Sequence, residues 1–159
     1  MMKKTVILLL MIGTYFVCCC AQDFTGSFLE NNKDKQADFT IVNVTSSMLK
    51  MITEGSDVDS EMKTILQNLN GIRIVTATNN GKNHYNSAKN SLTGQYRELV
   101  SVDNSEKNVR IFTKDKKNNN TVSEVIMLML ENGKFTLINI GGKIDLNQLS
   151  KLSAIVSNF

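Results

Sequence analysis

The 159-residue chain contains no proline and no tryptophan, only one histidine, and cysteine only in the single run Cys18-Cys19-Cys20. Without proline, its turns must be made by asparagine and glycine. With a lone His84 and no thiol after position 20, a His/Cys metal site, a cysteine nucleophile and a disulfide framework are all excluded beyond that point. Lysine and arginine number 18 against 15 acidic residues, too balanced for the electrostatic footprint of a nucleic-acid binder. The longest apolar run, Val6 to Val17, is shorter than the roughly 20 residues that a membrane-spanning helix needs.

That run is informative nonetheless. Met1-Met2-Lys3-Lys4, the apolar stretch and the small-residue exit Cys18-Cys19-Cys20-Ala21 read as a signal peptide over residues 1–21. Small residues at Cys19 and Ala21 fit a peptidase that releases a chain beginning at Gln22. The other route is lipidation of Cys20, but Val17-Cys18-Cys19 lacks the Leu-small-Gly/Ala pattern that usually precedes a lipidated cysteine. The expected location is therefore the periplasm or the medium, with an outer-membrane lipid anchor through Cys20 as the alternative. The mature chain should hold no transmembrane segment. Loss of Lys3 and Lys4 leaves it near neutral, and about 138 residues suit one core.

Residues 22–38 read as a polar lead-in anchored by Phe24, Phe28 and Leu29, and 39–159 as a single domain. Alternation from Phe39 to Thr45 predicts a strand. Ser46 or Ser47 opens a short helix carrying Met48, Leu49, Met51 and Ile52, broken at Gly55. Val58, Met62, Ile65, Leu66 and Leu69 then line one face of a second helix, closed by a left-handed cap at Asn70-Gly71. A strand over 71–77 and a weaker helix over 83–92 precede four strands at 96–102, 108–113, 122–130 and 134–140. Asn132-Gly133 is a strong hairpin signal, and Val125 to Leu130 is apolar on both faces, as a doubly covered central strand should be. Gly141-Gly142 end the last strand, and Asp145 caps a final helix striped by Leu146, Leu149, Leu152 and Val156. This order predicts an α+β fold: a largely antiparallel sheet of about six strands, with helices mainly on one face.

Five segments carry a resemblance in order: Leu69-Asn70-Gly71-Ile72-Arg73-Ile74, Tyr96-Arg97-Glu98-Leu99-Val100, Val109-Arg110-Ile111-Phe112, Ser123-Glu124-Val125-Ile126-Met127-Leu128 and Ile140-Gly141-Gly142-Lys143-Ile144-Asp145-Leu146. Behind a signal peptide, this set resembles the family catalogued as domain of unknown function 4252, small exported proteins found mainly in Bacteroidota. The likeness spans roughly Phe39 to Leu152. It implies a bacterial envelope or secreted location and supplies no activity, because the shared segments are mostly core and turn residues.

Each candidate for chemistry has a plain structural reading beside it. His84 reads as a surface residue near a helix start, and His84→Ala is expected to leave the fold intact. Asp57, Asp59 and Glu61 hint at a calcium loop, but Met62 and Asn68 occupy the positions that need Gly and Glu; acids in a first helical turn fit better. Gly141-Gly142-Lys143 fails as a phosphate loop, with Leu137 and Ile144 at the required Gly and Ser/Thr. Lys114-Asp115-Lys116-Lys117 has no interleaved aromatic and reads as a solvated connection. Asn43-Val44-Thr45 and Asn119-Asn120-Thr121 match the glycosylation pattern, without consequence in a bacterial protein. The balance is away from catalysis. The expected function is a non-enzymatic module binding an envelope protein or component, with no cofactor and no catalytic set. The alternatives are a hydrolase using carboxylates such as Asp103, Glu106 or Asp145, and a regulator that senses envelope conditions.

Overall fold

Six antiparallel strands form one sheet in the order β1-β2-β6-β5-β4-β3: β1 Thr40–Thr45, β2 Leu69–Ala77, β3 Tyr96–Asp103, β4 Lys107–Lys114, β5 Thr121–Glu131 and β6 Lys134–Asp145. The computed structural model describes residues 23–55, 57, 59–114 and 120–148. Strands β3 to β6 are sequential neighbours joined by short connections. Between β5 and β6, Asn132 (φ 49°) and Gly133 (φ 78°) both take positive φ, as a type I′ hairpin turn demands. Four α-helices complete the fold: α1 Phe24–Asn31, α2 Ser46–Gly55, α3 Ser60–Gln67 and α4 Gly81–Ser91. A 3-10 turn over Lys33–Asp38 links α1 to β1.

The two-residue period of the strands divides the apolar residues into two cores. On one face, Val75, Phe112, Ile126, Leu128 and Leu137 pack with Phe24 and Phe28 of α1 and with Tyr85 and Ala88 of α4. On the other, Ile72, Val125, Ile138 and Ile140 pack with Leu49 of α2 and with Ile65 and Leu66 of α3. The α+β class and the six-stranded antiparallel sheet are as expected, but the helices divide two and two between the faces instead of gathering mainly on one. The reason lies in β5 and β6, which are apolar on both sides and need cover on both.

Three local expectations change. The segment expected to be a lead-in is part of the core: Asp23 caps α1 by accepting from Gly26 N at 2.7 Å, and Phe28 is almost fully buried. Asn70-Gly71 does not cap a helix, since α3 stops at Gln67 and both residues lie inside β2. Gly141-Gly142 do not end the last strand either, because β6 continues to Asp145 with a bulge opposite Val122 and Glu124. Asp145 Oδ1 accepts from Asn147 N at the 3-10 turn Leu146–Gln148. The remainder of the expected final helix lies outside the described residues, as do the signal peptide, Cys20 and the loop over 115–119.

Candidate functional site

Gly71 and Gly141 face each other across β2 and β6, and the row continues to Thr45 on β1 and Glu124 on β5. Two adjacent strand positions without side chains leave bare backbone where the α1 face would otherwise carry bulk. A groove of about 830 Å³ lies over them, and its lining includes Thr45, Gly71, Gly141, Glu124 and Lys114. Gly71 has a packing reason to be glycine, since a Cβ there would sit 2.8 Å from Val44 O. Gly141 has none: a Cβ would meet nothing within 4 Å, and its φ lies outside the left-handed region. Its smallness keeps space open.

Glu124 is the polar centre of this groove and is only 5% exposed. Its Oε1 accepts from Phe24 N at 3.1 Å and from Asn139 Nδ2 at 2.8 Å, while Oε2 accepts from Tyr96 Oη at 2.8 Å. Lys114 Nζ stands 4.0 Å from Oε2 and 5.6 Å from the Tyr96 ring centroid. Asn139 Nδ2 also donates to Thr25 Oγ1 at 2.9 Å, so the network ties β3, β5, β6 and α1 together. Burial, together with the hydrogen bond to Glu124 and its charge, pushes the Tyr96 phenol well above its ordinary value, so it remains a donor at any physiological pH. At the other end of the groove, Arg73 donates through Nε to Asn43 Oδ1 at 2.8 Å and through Nη1 to Asp23 Oδ1 at 3.1 Å. Both cations are partly exposed. Every hydrogen bond recorded to the Glu124 carboxylate is a donation to it, so it is held as an anchor and is not free to take a proton from a substrate.

The model of the family described as domain of unknown function (DUF4252) matches residues 31–152. The chain belongs to this family. No curated protein and no solved structure matches it. The DUF4252 match encloses Asn43, Arg73, Lys114, Glu124, Asn139 and Gly141, whereas Asp23 and most of α1 precede it. Among the described residues, no helix is long and apolar enough to cross a membrane.

In this DUF4252 chain the residues singled out from the sequence are scattered. Asp103 pairs with Arg110 Nη2 at 2.6 Å, and Glu106 sits in the β3–β4 turn. Asp145 lies opposite Thr121, whereas the β4 end near Asp103 lies opposite Glu131. Ten residues of β5 separate those ends, roughly 33 Å, so the three carboxylates do not converge. Asp59 caps α3 through Met62 N at 2.8 Å with Glu61 in the first turn, and Asp57 is exposed. Among the described residues no three His, Cys, Asp or Glu side chains gather to hold a metal ion. Gly141 and Asn43, considered in the sequence for other reasons, do line the groove. Glu124, Arg73 and Asn139 were quoted only as family segments or not at all. Their signal was a polar residue on the buried side of an otherwise apolar strand.

His84 requires a correction. It is buried, with 2% exposure, its ring 4.7 Å from that of Phe39 and 6.3 Å from that of Phe135. Its Nε2 lies 3.5 Å from Asp38 Oδ2 without forming a hydrogen bond. The polar turn before α4 made it read as exposed, but the 3-10 turn and β1 fold over that end of the helix. Removal of the ring leaves a cavity, so His84→Ala should lower stability by about 2–4 kcal/mol. Urea unfolding followed by circular dichroism checks this; an unchanged midpoint would return His84 to the surface.

Proposed function

We infer that this is an exported envelope protein that binds a partner in the groove over Gly71 and Gly141 and does not transform it. The observation that carries the reading is the state of Glu124, whose two oxygens already accept three hydrogen bonds from the protein. Such a carboxylate holds a wall in place. The open space above Gly141 favours recognition in the same way, because a strand glycine with no steric or conformational need is retained at a loss of β-propensity. Export rests on the leader over residues 1–21. The folded contacts begin at Asp23, next to the expected new terminus at Gln22, so processing would leave them intact.

Two measurements test this. Intact mass of the exported protein should correspond to a chain starting at Gln22; a diacylglyceryl mass on Cys20 would replace release by anchoring. Capture from envelope extracts should retain a component with the wild-type protein and lose it with Arg73→Gln. Equal retention by both would move the binding site away from the groove.

A further inference from the structure

Taking the groove as the binding site, we propose that its occupant is a short, extended, acidic peptide segment lying across the strands. Four observations converge on this class. The first is the floor: Gly71 and Gly141 expose backbone side by side, which lets another main chain approach more closely than any side chain would. The second is the wall chemistry. Asn43, Asn70, Thr45 and Ser123 line the groove with amides and hydroxyls, the groups that bond to peptide N–H and C=O.

The third is charge. Arg73 and Lys114 stand at opposite ends of the groove, and the Glu124 that neighbours Lys114 is buried and already saturated. Asp23, beside Arg73, is the remaining exposed anion of the lining, so the accessible charge is one positive unit in excess. Residues 73 and 114 are three strand spacings apart (β2-β6-β5-β4), roughly 14 Å. Two carboxylates four residues apart on an extended chain are separated by about 13 Å, which matches that span. The fourth is the composition of the lining, which holds no aromatic side chain to offer a flat platform to a sugar ring or a base. A linear chain of amides ended by carboxylates suits these walls.

The test uses the exported protein and four probes in isothermal titration. The first is a capped pentapeptide with glutamate at both ends and Gly-Ser-Gly between. The second and third carry glutamine or lysine in place of glutamate, and the fourth is an oligogalacturonate of similar length. The glutamate peptide should bind at least ten-fold more tightly than the glutamine and lysine peptides and the uronate, and its affinity should fall as salt rises. Gly141→Val, which fills the floor with a good strand former, and Lys114→Gln, which removes one cation, should each lower its affinity at least ten-fold. Two variants are used because either alone could disturb the fold, which thermal unfolding monitors. The proposal falls if the glutamine peptide binds equally well, if neither folded variant weakens binding, if the uronate is preferred, or if no peptide binds at millimolar concentration. Should capture still depend on Arg73 while no peptide binds, the groove stands as the binding site and only the peptide assignment is lost.

Discussion

Leu128→Asp is expected to yield no folded protein, while Met127→Asp, one residue away, is expected to yield a folded protein with a lowered midpoint. Leu128 has no exposed surface and sits between Arg110 and Leu137 on the α1 face. An aspartate there loses a large apolar side chain and buries a charge whose nearest cation, Arg110, already serves Asp103 and Glu98. Several kcal/mol of desolvation without compensation compares with a total stability of about 5–15 kcal/mol. Met127 faces the other way, between Ile111 and Ile138, and is only half-buried. Its side of the sheet is covered by α2 and α3 toward β1 and β2, whereas Val100 and Val102 on β3 remain exposed. A charge at 127 can therefore reach water, and the expected loss is about 1–3 kcal/mol. Circular dichroism and urea unfolding of both variants decide the matter. Failure of both to fold would mean that the second face is closed over Met127 as well.

Glu124→Ala should be the most damaging substitution of a polar residue, lowering stability by about 3 kcal/mol or more. The lost carboxylate leaves the Phe24 N–H, an Asn139 amide hydrogen and the Tyr96 hydroxyl without their acceptor in a nearly dry site. The loss is not confined to one strand, because those donors hold α1 and β3 onto the centre of the sheet. Glu124→Gln keeps the shape and one acceptor oxygen but sets an amide group against existing donors, so its effect should be intermediate. Tyr96→Phe, which removes a single donor, should lower stability by about 1 kcal/mol. If Glu124→Ala unfolds at the wild-type urea concentration, the carboxylate is not the tie described here.

The elements most legible in the chain are those whose signal is local. Asn132-Gly133 announced its hairpin because both residues accept positive φ, and the run from Val125 to Leu130 announced a central strand because no edge strand is apolar on both faces. Boundaries set by glycine were less legible. Gly71, Gly141 and Gly142 resemble stops in a sequence, yet all three lie within strands, two of them beneath the groove. A glycine marks freedom of the backbone or absence of bulk, and a sequence does not say which. His84 was misplaced for a related reason: its neighbours along the chain are polar, but its neighbours in space are Phe39 and Phe135.

The sequence by itself determined the fold class, the succession of elements and the family, since periodicity, turn chemistry and ordered segments are all properties of neighbours along the chain. Tertiary structure alone decided the groove. Glu124 and Phe24 are separated by 100 positions, Asn139 and Thr25 by 114, and Arg73 and Asp23 by 50. Strand register brings Gly71 beside Gly141, and a helix 45 residues upstream of β2 sets the groove's edge with its first turn. A polar residue in an apolar strand shows that a partner must exist, because an unpaired buried carboxylate would unfold the domain. Which partner it is depends on the order of strands across the sheet.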